Sequence, residues 1–193
     1  FRRVARILHA ESDTCQAVVV SAMAGITDAL LDLVTASEQS ADVIQPGLAR
    51  LSDRYRGTVE ALLDDSARWV AVFEAFESEL NDAADVLQAV SLEHSATHQN
   101  RDFVTGFGEL WSTRLLAAYL EQDRPNDPAN RQIRWVDARE LIVVEKGELG
   151  PSVLWERSRE NCARQFPERN GEIVIVTGFR ASDSNGLQTT LGR

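Results

Sequence analysis

Two short, uncharged runs rich in valine and isoleucine stand near opposite ends of the chain: Ala17-Val18-Val19-Val20 and Ile173-Val174-Ile175-Val176. β-Branched side chains pack well on a pleated surface, and a run without polar alternation suits a strand covered on both faces. Strands of that kind belong to parallel sheets, which need crossover helices between them. The two runs therefore predict an α/β fold, with a first strand over residues 16–22 and a last one over 172–179. Ile133-Arg134-Trp135-Val136-Asp137 reads as a further strand, and Leu141-Ile142-Val143-Val144 as another candidate.

The segments between carry helical periodicity. Phe1, Val4, Ala5 and Leu8 line one side of an opening helix with arginines outside. Thr27 reads as an N-cap, with Asp28 at the positive end of a helix over 29–37. Residues 47–90 are helical throughout. In their second half Trp69, Phe73, Phe76, Leu80, Ala83 and Leu87 form one apolar stripe, and Glu74, Glu77, Asp82 and Asp85 a solvated face. Residues 93–100 read as a loop. A helix follows with Phe103, Phe107, Trp111, Leu115 and Tyr119 on one side. Pro125 and Pro128 mark a surface connection. Pro151 suits the first position of a helix over 151–166. Residues 180–186 read as a polar, turn-rich stretch, and 187–191 as extended. There is no internal repeat, and the alternation of strand and helix predicts one domain.

Composition closes off several function classes. The 193 residues carry a net charge of −10 and a single lysine, and their arginines form no cluster; this argues against nucleic acid as a partner. No apolar run approaches the ~20 residues of a membrane-spanning helix. Cys15 and Cys162 form neither a disulfide framework nor a CxxC motif, and read as small apolar residues in a reducing, cytoplasmic setting. His94 and His98 stand four apart without a third ligand, so no metal site is expected. There is no Walker A loop and no nucleophile elbow.

Ligands of open α/β sheets gather at the carboxyl ends of the strands. Two strands here run into glycine and hydroxyl residues: Val20-Ser21-Ala22-Met23-Ala24-Gly25-Ile26-Thr27 and Val176-Thr177-Gly178-Phe179. Small residues there admit a ligand to the backbone, and helix N-termini favour anions. Gly106 and Gly108 are costly in a helix, at about 1 kcal/mol each against alanine, so a helix starts near Gly108 or something packs closely against it. Glu109 then lies in a first helical turn, where it either compensates the dipole or faces a substrate ammonium. Arg193, after Thr189-Thr190-Leu191-Gly192, is either a solvated end or a fork for carboxylate or phosphate.

Taken together, five ordered segments resemble the aspartate kinases of the amino acid kinase superfamily. They are Val18 to Asp28, Gly108-Glu109-Leu110-Trp111-Ser112-Thr113, Trp135-Val136-Asp137-Ala138-Arg139-Glu140, Val176-Thr177-Gly178-Phe179 and Thr189-Thr190-Leu191-Gly192-Arg193. The resemblance implies a three-layer αβα sandwich with a mainly parallel central sheet. It implies transfer of the γ-phosphoryl of ATP, with Mg, to the side chain of L-aspartate, the opening step towards lysine, threonine and methionine. Thr27, Glu109 and Arg193 match the family's substrate-binding residues. The resemblance further implies a homo-oligomeric full-length protein, alone or fused to homoserine dehydrogenase or diaminopimelate decarboxylase.

Two family features have no counterpart in residues 1–193: a first strand with a lysine- and glycine-rich phosphate loop, and the nucleotide-binding half beyond the Leu-Gly-Arg segment. The expectation is therefore the aspartate-binding part of a kinase domain, incomplete, without catalytic residues of its own and inactive in isolation, with an open sheet edge. The alternative is a non-catalytic ligand-binding or assembly module that keeps the same fold.

Overall fold

The computed structural model describes residues 1–11, 16–147, 150–166 and 171–191. The chain divides into two compact units, Phe1–Ser21 with Ser112–Arg193, and Ala22–Trp111.

The first unit is built on a parallel sheet of three strands in the order β1 (Gln16–Val20), β5 (Glu172–Thr177), β2 (Gln132–Val136). Val18 pairs with Ile175, and Ile175 with Trp135. The valine–isoleucine run of β5 is therefore flanked on both sides, and residues 173–177 are all buried. Helix α1 (Arg2–Ala10) and the later turns of α6 (Phe107–Asp123) cover one face, where Ala5, Leu8, Leu116 and Leu120 meet Ile173 and Ile175. Cys162 and Phe166, at the end of α7 (Trp155–Gln165), pack with Val136, Val174 and Val176 on the other. Helix, sheet and helix make the three layers expected of the α/β class.

Several local expectations are revised. β1 is not covered on both faces: it pairs only with β5 among the described residues, and Val19 is 69% exposed. Pro151 lies in a strand, β4 (Gly150–Val153), paired antiparallel with β3 (Val143–Gly147), and α7 starts four residues later. Pro151 has no N–H to donate, and β4 has only β3 as a neighbour among the described residues, the edge position that tolerates proline. Residues 180–183 are likewise a strand, β6 (Arg180–Asp183), joined to β3 and to β7 (Gln188–Thr190) in a second, mixed sheet. Their polar character concealed it, because Arg180 and Ser182 are buried with partners rather than solvated. Cys15 falls outside the described residues.

The second unit is helical: α2 (Ile26–Ser37), α3 (Ile44–Glu60), α4 (Ser66–Glu93), α5 (His98–Thr105) and the start of α6. The region expected to be helical throughout is two helices broken at residues 61–65. The expected loop at 93–100 is short, because a Thr97–Asn100 capping box starts α5. The core of the unit is aromatic. Tyr55 stacks on Phe76 at 4.2 Å between ring centroids, Phe76 meets Trp111 edge-on at 4.8 Å, and the Tyr55 hydroxyl donates to the Trp111 carbonyl at 3.2 Å. No helix among the described residues is long and apolar enough to cross a membrane.

Candidate functional site

Glu109 lies in the first turn of α6 and is 2% exposed. The Ala22 N–H donates to its Oε1 at 3.4 Å, across 87 residues of chain. Ala22 opens the Ala22-Met23-Ala24-Gly25 turn that leads into α2. That turn closes on itself, with Ile26 N–H donating to the Met23 carbonyl at 3.0 Å and Ala29 N–H to Gly25 at 3.2 Å. Gly25 has φ +73°, a left-handed conformation that a side chain would strain, and it takes the N-cap place. Thr27 is therefore not the cap: it is the second residue of α2, half-buried in its first turn.

Gly108 explains how the two segments approach. A Cβ on it would stand 2.9 Å from the Ala22 Cβ and 3.3 Å from Ile26 Cγ2. Both readings of the paired glycines hold: α6 starts at Phe107, and Gly108 is where another backbone packs close. The structure thus brings Glu109 to the turn that carries Thr27. Arg193 lies outside the described residues.

Sequence reasoning missed Arg54. From α3 its Nη2 donates to the Ala24 carbonyl, and Nη1 lies 3.6 Å from where a Gly25 Cβ would be. A lone arginine on a helix gives no signal of this; only the approach of α3 to the turn brings the two together.

The first unit holds a separate polar cluster past the carboxyl end of β2. Asp137 is buried, with Arg180 Nε at 3.4 Å from Oδ1 and Arg139 Nε donating to Oδ2 at 2.8 Å. Burial by itself would raise the Asp137 carboxyl; Arg180 and Arg139 outweigh it and hold the group below the usual carboxylate range. Gln188 Oε1 accepts from Arg180 Nη2 at 2.9 Å, and the Thr177 hydroxyl accepts the Ala138 N–H at 2.8 Å. Asp137, Arg139 and Thr177 fall within segments quoted above for the family resemblance, but the buried Asp137–Arg180 pair, 43 residues apart in the chain, has no local signature. No group of three His, Cys, Asp or Glu side chains gathers to hold a metal among the described residues.

Within the second unit, a buried carboxylate held against a helix-opening turn is a setting suited to a small polar ligand. The chain belongs to the amino acid kinase family, which it matches over residues 1–193. It is 30% identical over 193 residues to bifunctional aspartokinase/homoserine dehydrogenase 1 of Arabidopsis thaliana, covering 98% of this chain and 20% of that protein. It is 31% identical over 197 residues to bifunctional aspartokinase/homoserine dehydrogenase 2 of Escherichia coli, covering 100% of this chain and 22% of that protein.

Among solved structures it is similar to Escherichia coli aspartokinase III in complex with lysine and aspartate, with a TM-score of 0.83 at 25% identity. The same enzyme with aspartate and ADP gives 0.82 at 26%. Each covers the whole of this chain and 40% of the other. The chain spans about a fifth of the length of the bifunctional relatives.

Proposed function

We propose that this chain supplies the aspartate-binding part of an aspartate kinase. Glu109 receives the substrate ammonium. Thr27 and the N-terminal turn of α2, where helix dipole and backbone N–H groups favour anions, receive a carboxylate. Arg193 supplies the cationic contact to a carboxylate. The observation that carries the reading is the buried Glu109 carboxylate held against the turn that opens α2. Similarity over the whole chain to an aspartokinase solved with aspartate and with ADP supports it.

In the reaction a side-chain carboxylate oxygen of aspartate attacks the γ-phosphorus of ATP. The bond to the β-phosphate oxygen breaks, and 4-phospho-L-aspartate and ADP leave. That acyl phosphate opens the route to lysine, threonine and methionine. Such transfers depend on positioning and charge neutralisation more than on covalent help. Mg, when bound, would neutralise charge on the ATP phosphates; no group of three His, Cys, Asp or Glu side chains that would hold it lies among the described residues. This chain's part is to orient aspartate. We extend the proposal to a homo-oligomeric full-length protein in the cytoplasm.

The test is aspartate-dependent release of ADP by the full-length protein, with hydroxylamine trapping the acyl phosphate as a hydroxamate. Calorimetric titration with L-aspartate accompanies it, beside Glu109→Ala and Arg193→Ala. Hydroxamate formation, with aspartate binding lost in both variants, is the expected result. An unmodified protein that forms no hydroxamate from aspartate and ATP overturns the reading.

A further inference from the structure

Arg54 is an exposed cation beside a buried helix face. Leu48, Leu51, Tyr55 and Val59 turn α3 into the core of the second unit, while Arg54 projects from the same helix to the turn that opens α2. Its guanidinium donates to the Ala24 carbonyl and stands beside Gly25. No Asp or Glu among the described residues forms an ion pair with it, unlike Arg101 with Glu38 or Arg68 with Asp65 in the same unit. The charge is therefore left at the turn, close to the segment that holds Ala22 against Glu109.

The geometry of one peptide gives this contact a consequence. A trans peptide is planar, so its C=O and N–H point in opposite directions. Holding the Ala24 carbonyl on Arg54 directs the Gly25 N–H away from the guanidinium. Glycine crosses between positive and negative φ at little cost, so the turn has no side-chain restraint of its own at position 25. The restraint comes from α3.

We propose that Arg54 is a positioning residue for the amino acid substrate: it locks the Ala24–Gly25 peptide and adds a positive charge beside it, and so sets affinity for the acidic substrate without touching the reacting atoms. The inference rests on the aspartate reading above. Without Arg54 the peptide is released to rotate, and the N–H groups opening α2 are presented in a mixture of orientations. Binding suffers. Aspartate that does bind still meets Glu109 and reacts as before.

Arg54→Ala, Arg54→Lys and Arg56→Ala in the full-length protein test this by steady-state kinetics and thermal unfolding. Arg56, two residues on, stacks over Phe73 with its guanidinium carbon 4.3 Å from the ring centroid and serves as a control on the same helix. Arg54→Ala is expected to raise the KM for L-aspartate tenfold or more, with kcat within twofold and Tm unchanged. Arg54→Lys keeps the charge and one donor, and recovers at least half of that loss on a logarithmic scale. Arg56→Ala lowers Tm and leaves KM alone.

A KM for Arg54→Ala within twofold of the unmodified protein overturns the inference. So does a loss in Arg54→Ala that Lys fails to rescue and that tracks a fall in Tm, since that is packing alone. An unmodified protein with no aspartate-dependent ADP release overturns the underlying reading and the inference with it, a result distinct from an active protein indifferent to position 54.

Discussion

Gly108 backs onto Ala22 so closely that a single added methyl group would stand 2.9 Å from the Ala22 Cβ. The contact joins the first turn of α6 to the turn that opens α2, and Glu109 and Thr27 sit immediately beside it. Alanine at 108 improves helix propensity by about 1 kcal/mol. The neighbour it meets is a backbone-anchored Cβ rather than the end of a flexible chain, so the overlap is relieved only by moving a helix. Overpacking of this kind costs about 1–3 kcal/mol. Gly108→Ala is expected to lower stability, and Gly108→Val to lower it further; urea unfolding midpoints read both.

Glu109→Gln keeps the shape and one acceptor oxygen but removes the charge. Losing a buried charged partner costs about 2 kcal/mol or more of binding, or roughly a 30-fold loss. Calorimetric titration of the full-length protein with L-aspartate is expected to show that loss, while circular dichroism shows an unchanged fold. An equal affinity in Glu109→Gln would place the substrate ammonium elsewhere.

Asp127 and Arg131 form a second buried pair, with side chains 1% and 2% exposed. Arg131 binds the carboxylate through Nε at 2.9 Å and Nη2 at 3.0 Å, and donates to the Leu8 carbonyl at 2.8 Å near the end of α1. Burial would raise the Asp127 carboxyl, but the Arg131 bonds and charge outweigh it, and its pKa is lowered. A folded pKa below the unfolded value of about 3.9 gives stability that is present above about pH 4 and is lost as pH falls through the folded value. Asp137, lowered by Arg180 and Arg139, has the same sign. Unfolding free energy measured from pH 6 downward is expected to fall more steeply in the unmodified protein than in Asp127→Asn. At neutral pH Arg131→Met leaves a buried, unpaired carboxylate and costs about 3–5 kcal/mol.

Phe76 lies between Tyr55 and Trp111, with ring centroids at 4.2 and 4.8 Å. Phe76→Ala is expected to cost about 3–5 kcal/mol, and Phe76→Leu a smaller amount. Trp111 is two residues from Glu109 on α6, so the larger cavity is also expected to weaken aspartate binding. Thermal unfolding and titration of the same variants separate the two effects.

The sequence by itself determined the class of fold. The uninterrupted run from Ile173 to Val176 reads as a covered strand, the apolar stripes on α1, α4 and α6 read as packed faces, and the glycine at 108 pointed to a helix start or a close contact, both of which hold. These are local patterns, because hydrophobic period and conformational freedom belong to a few neighbouring residues. The ordered segments around Thr27, Glu109 and Arg193 also carried the family.

The tertiary structure decided what depends on partners far along the chain. Val19 belongs to a run that reads as buried, yet it is exposed: Val18 and Val20 pack on the helix-covered face, and Val19 points to the other, which the described residues leave open there. Thr27 reads as a cap, but the left-handed Gly25 takes that place. Arg180 reads as polar surface and is 1% exposed against Asp137, because strand register carries it there. Arg54 carries no local signal at all, yet it holds the Ala24 carbonyl. For Arg180 and Arg54 the deciding contact spans residues whose separation in sequence says nothing of their distance: a side chain's chemistry is local, but its partner is chosen by topology.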